Sequence, residues 1–146
     1  MIFDFLALFI LCAGYIIGLG AVTVIDIHGF LGRTSSYWTE ATTRTHKVTK
    51  PLIWLGTILA IIGGSMLYQT IGEARFIAAH IILAVALILN GLWLSFSVSP
   101  FLLAREKEGH AAELLPHEWQ IKITLSFIVS FIGWWSSLAL FVYQLV

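Results

Sequence analysis

Four long apolar runs constrain this chain more than anything else in it. A helix rises 1.5 Å per residue, so roughly 20 apolar residues are needed to cross a ~30 Å hydrocarbon core. The sequence offers four such runs, about 5–26, 51–68, 76–98 and 119–145. They are continuous, whereas the strands of a membrane barrel would alternate apolar and polar residues. The expected fold is therefore all-α, an integral membrane four-helix bundle forming a single transmembrane domain over 1–146. Composition excludes the main alternatives. Only 11% of the residues are charged and 59% are hydrophobic, against roughly 25% and 45–50% in soluble domains. Eight basic and eight acidic residues leave no net charge, so a disordered chain and a nucleic-acid partner are both excluded. The single cysteine, Cys12, rules out an intramolecular disulfide framework and a thiolate zinc centre.

The segments between the runs set the expected topology. The first run lacks a basic leader and exceeds the length of a signal h-region, so it reads as a retained helix. The segment from Gln69 to Arg75 is short and contains Gly72, which predicts a tight antiparallel hairpin of the second and third spans. Ile27 to Lys50 reads as a long polar connection, with part of Ser36–Lys50 open to a helical reading. Ser99 to Glu118 reads as a second long connection, bounded by Pro100 and Pro116. The basic residues are unevenly placed. Arg33, Arg44, Lys47 and Lys50 fall in the first connection, and Arg105, Lys107 and Lys122 fall in or beside the third. Only Arg75 falls in the second. Positive charge stays cytoplasmic. This predicts both long loops inside and both termini outside, in a bacterial inner (plasma) membrane.

Membrane helices associate through close packing and hydrogen bonds, because lipid is as apolar as leucine. Each span carries a matching stripe of small or polar residues. These are Gly14, Gly18 and Ala21 in the first, Thr57, Ala60 and Gly64 in the second, and Ser126, Ser130, Gly133 and Ser137 in the fourth. The third carries Ala79, Ala86, Asn90, Trp93 and Ser97 on one face and His80, Ala84 and Gly91 on its neighbour. Helix packing explains the stripes, and the lining of a cavity is the alternative.

Ionisable groups inside a membrane are costly and mark function by default. His80, with Asn90 and Trp93, is one candidate cofactor-binding set. An imidazole at that depth binds haem iron or a metal, or it makes a structural hydrogen bond. Asp26, His28, His46, His117 and Glu118 gather at the ends of three spans and form a candidate metal set, or they are interfacial charge pairs. Mixed imidazole and carboxylate ligands suit zinc, iron or copper. Against convergence, Asp26 and His28 are two residues apart and diverge on a helix. Trp134 and Trp135 suit a flat ligand, or simply lipid and core packing. No nucleophile motif, phosphate loop or His-Glu-x-x-His occurs.

Two segments, Lys50-Pro51-Leu52-Ile53-Trp54 and Arg75-Phe76-Ile77-Ala78-Ala79-His80, open the second and third spans. Together with chain size they make the sequence resemble small four-helix membrane proteins of the CopD and HemJ kind. It also looks like uncharacterised bacterial integral membrane proteins. The resemblance covers about a third of the chain and implies a haem or transition-metal cofactor. The first span departs from the HemJ-like pattern, with His28 at its far end and no histidine in its first turns, so no catalytic residue is carried over. The expected function is a small polytopic membrane protein binding such a cofactor through its histidines. The alternatives are a non-enzymatic assembly subunit and a small oligomeric transporter. Expected partners are the lipid bilayer and a second copy or another membrane protein.

Overall fold

The computed structural model describes residues 1–71 and 75–145. The described residues are helical, with no strand among them. α1 spans Ile2–Leu31, α2 Ser36–Thr70 and α3 Ile77–Trp93. A π-helical stretch, Leu94–Val98, continues α3 into α4, Ser99–Lys107, and α5 spans His117–Leu145. Four rods in this set are long and apolar enough to cross a membrane, the third being the composite Ile77–Lys107. The chain is accordingly an integral membrane helix bundle. Its large apolar side chains point outward, as lipid permits: Ile16 is 75% exposed and Phe96 76%. The inner positions go to small residues, hydroxyls and a few rings.

α1 and α2 form the tightest pair. A Cβ at Gly14 would fall on the backbone of Ala60, one at Gly56 on the backbone of Gly18, and one at Gly63 on the backbone of Leu11. The two main chains touch along three turns, which only glycine at those positions allows. The small-residue stripes are thus consumed inside the chain.

Helices run further than hydropathy alone predicts. The stretch read as a long first connection is helical, and only Gly32–Ser35 links α1 to α2. The physical reason lies in its threonines. Thr39, Thr42, Thr43 and Thr49 each donate to the carbonyl four residues back, so their hydroxyls need no water. α2 also passes through Pro51 without ending. Proline supplies no N–H for the carbonyl of Lys47, but its φ suits a helix and membrane helices tolerate the lost bond. In the third connection, α4 occupies Ser99–Lys107 and ends on Gly109 at φ 83°. The His110 N–H donates to the Arg105 carbonyl at 2.8 Å and the Gly109 N–H to the Glu106 carbonyl at 3.1 Å, a glycine-terminated C-cap. Arg105 then ties the following loop down through the carbonyls of His110 and Glu113.

The expected tight hairpin of the second and third spans is not what positions α3. α3 rests on α5 and touches α2 sparsely, and His80 is its one buried residue. Gly72, the expected turn residue, lies outside the described residues. The gap between α2 and α3 is filled in part by rings, Tyr68 and Phe141 among them, and in part left open.

Candidate functional site

Two cavities lie along the seam of α2, α3 and α5, one toward each end of the bundle. The one lined by charged residues, about 100 Å³, sits where α1 ends and α5 begins. Asp26, His46, Lys50, Trp54, Ser95 and Gln120 line it, with Arg33 beside them. The helical stretch before Pro51 brings His46 and Lys50 there, one turn apart on one face.

The π-helical stretch shapes one wall. Widening the helix by one residue per turn loosens the i→i−4 ladder and re-aims carbonyls and side chains. Ser95 uses both of its groups in this way. Its hydroxyl accepts from Trp54 Nε1 at 3.1 Å, and its carbonyl accepts from Lys50 Nζ at 3.4 Å. Arg33 is held on the Phe30 ring, 4.4 Å from its centroid. Both cations of the cavity are therefore engaged. Asp26 Oδ2 and His46 Nε2 are not: each is a buried atom with no hydrogen-bond partner. A buried polar atom without a partner costs about 1–3 kcal/mol, so two of them facing one cavity is the least expected feature of the molecule.

The other expected metal ligands are placed elsewhere. His28 Nδ1 bonds Thr45 Oγ1 at 3.2 Å, and its ring leans on Trp38. His117 and Glu118 are exposed on the first turn of α5. Among the described residues no three His, Cys, Asp or Glu side chains form a group able to hold a metal. The reason is angular: on α1, Asp26 lines the cavity, while His28, about 200° further round, meets Trp38 and Thr45 of α2 outside it. Of the five expected ligands, the structure brings together Asp26 and His46. Glu106, in the charged stretch after α4 begins, instead pairs with Lys47 at 2.6 Å and fastens α4 to α2.

The expected cofactor set around His80 is differently employed. His80 Nε2 lies 3.0 Å from the Ser137 carbonyl, which only accepts, so Nε2 carries the hydrogen. Nδ1 of the neutral ring is left to accept from the Tyr68 hydroxyl at 2.5 Å. The ring also stacks on Phe141 with centroids 3.8 Å apart. Neither nitrogen has a lone pair to offer an iron in this arrangement, so the residues here do not fit a histidine-ligated haem. Asn90 forms a closed pair with Ser126, donating to its carbonyl at 3.2 Å and accepting from its hydroxyl at 2.7 Å. Trp93 is half-buried and lines neither cavity.

Sequence reasoning missed several participants. Trp54 and Tyr68 look like interface-anchoring aromatics, yet both hydrogen-bond inward. Ser95 and Gln120 carry no local pattern that would mark them, because the π-helical register that directs Ser95 is invisible to a 3.6-residue reading. Comparison of the chain with protein-family models, with curated proteins and with solved structures finds no match.

Proposed function

We propose that this chain is a polytopic protein of a bacterial inner membrane that holds an exchangeable transition-metal ion at Asp26 and His46. The observation that carries the reading is that Asp26 and His46, whose Oδ2 and Nε2 are buried without a hydrogen-bond partner, line one small cavity. A metal ion would satisfy both at once, and a bridging water is the alternative that the test separates from it. One carboxylate and one imidazole suit zinc, iron or copper(II), with solvent at the remaining positions. The metal would act there as a Lewis acid with open coordination. Lys50 and Arg33 raise the local positive potential, which weakens a cation's hold and favours exchange over permanent residence. The resemblance to CopD-like proteins points the same way. With positive charge inside, the cavity opens toward the cytoplasm and both termini lie outside. Assembly with a second copy or another membrane protein through the glycine stripes draws less support, since Gly14, Gly56 and Gly63 are spent on α1–α2 contact.

The test is metal titration of the purified protein in detergent, with Zn²⁺ and Cu²⁺ separately, read as bound metal after desalting. Wild type should retain one equivalent. Asp26→Asn and His46→Ala should each weaken binding by about tenfold or more, by analogy with ligand-shell losses, while His28→Ala and His117→Ala leave it unchanged. A wild-type protein that retains no more metal than Asp26→Asn overturns the reading and leaves the two atoms to buried water.

A further inference from the structure

The second cavity differs from the first in its size and in the charge of its lining residues. It encloses about 370 Å³, within the ~300–1,000 Å³ range of small-molecule sites. No charged residue lines it among those described. Its walls are flat rings: Trp134, Phe141, Tyr68 and the neutral His80. Its rim is formed by Ile61 on α2 and by Ile77 and Ile81 on α3, all exposed on the outer surface of the bundle. The opening therefore faces the hydrocarbon, through the gap left where α3 leans on α5 instead of α2.

A space this large and this apolar at a lipid-facing mouth does not stay empty. A charged head group would lose its hydration with nothing to pair it, so the occupant is neutral. It enters from the bilayer, so it is lipid-soluble. The ring walls favour a flat face against them, through offset or edge contacts. Thr57, Ser65 and Gln69 also line it, and the hydroxyl pair of Tyr15 and Ser137 sets the head group. Tyr15 Oη and Ser137 Oγ lie 2.6 Å apart and share a single hydrogen between two hydroxyls. The second hydroxyl hydrogen finds no further acceptor among the described residues, and both residues are walls of the cavity. A carbonyl oxygen meets that donor.

We propose that this lateral cavity binds a neutral, lipid-soluble molecule whose flat ring carries a carbonyl and whose apolar tail leaves between Ile61 and Ile81, a quinone in chemical class. It does not rest on the metal reading, since the residues of the two sites are different.

The experiment uses metal-depleted full-length protein in phosphatidylcholine nanodiscs and a decyl-tailed benzoquinone as probe, read by quenching of tryptophan fluorescence. Trp134 sits in the wall, so bound probe quenches it in a saturable, one-to-one phase above the linear background of partitioning. Ala84→Phe fills the cavity from α3, and Ile81→Trp closes its rim from an exposed position that does not challenge folding. Either variant should weaken the saturable phase by about tenfold or more, which is about 1.4 kcal/mol or more of binding. Decanol, which has a tail without a ring carbonyl, should not displace the probe. Quenching that never saturates, or that is the same in wild type and both variants, overturns the proposal. Displacement by decanol at equal concentration also overturns it, because the cavity is then a slot for acyl chains.

Discussion

His80 shows what a single polar side chain does between hydrocarbon-facing rods. It is the one buried residue of α3, and three contacts hold it: Tyr68 from α2, with Phe141 and the Ser137 carbonyl from α5. Without the imidazole, the Ser137 carbonyl and the Tyr68 hydroxyl lose their partners at a depth where water is scarce. His80→Ala should therefore lower stability by about 2–4 kcal/mol, from two lost hydrogen bonds and the vacated ring space. Thermal unfolding in detergent, followed by circular dichroism, checks this. Wild-type behaviour would show that the triad does not anchor α3. The sequence marks His80, Asn90 and Asp26 as the residues that need partners, because burial in lipid makes them expensive. It does not reveal the partners. Tyr68 and Ser137 are 12 and 57 residues from His80, and their meeting depends on how three helices settle, which no local pattern encodes.

At the scale of elements, the α1–α2 contact separates glycines that touch something from glycines that do not. Gly56 lies against the Gly18 backbone, whereas Gly20 has nothing within 4 Å of where a side chain would begin. Gly56→Leu should separate the two helices and cost about 1–3 kcal/mol or more through overpacking. Gly20→Leu should stay within about 0.5 kcal/mol, as exposed substitutions do. Unfolding of the two variants side by side in the same detergent reads the difference directly. Equal losses would mean that the glycines matter for something other than close approach. The small-residue stripes were legible as packing faces from their spacing alone. The length of α2 was legible only in part: a threonine-rich, basic stretch leading into a proline leaves loop and helix both open until its hydroxyls are seen bonding back along the helix.

For the whole molecule, charge and connectivity lead to one topological expectation. Arg44, near the start of α2, and His110, just past α4, lie at the same end of the bundle, tied together through Lys47 and Glu106. In a Cys12→Ser background, Arg44→Cys and His110→Cys should both react with an impermeant maleimide only when the cytoplasmic face of sealed vesicles is accessible. A cysteine placed at Ile2 should react only from the other side. Labelling of position 44 from the face opposite to position 110 would refute the arrangement of helices itself, whereas joint labelling from the non-cytoplasmic face would refute only the sidedness.

The five residues from Leu94 to Val98 have a consequence for the rod they interrupt. A wide turn accommodates one residue more than an α-turn, so everything after it is rotated by about 100° relative to an uninterrupted α-helix. The third rod thus keeps two separate phases. Its upper half exposes one face and rests the other on α5, with His80 its one buried residue, while the stretch that follows turns Val98, Ser99 and Leu102 inward. One continuous length of chain meets two unlike neighbourhoods, and the switch between them is made without a break in the helix.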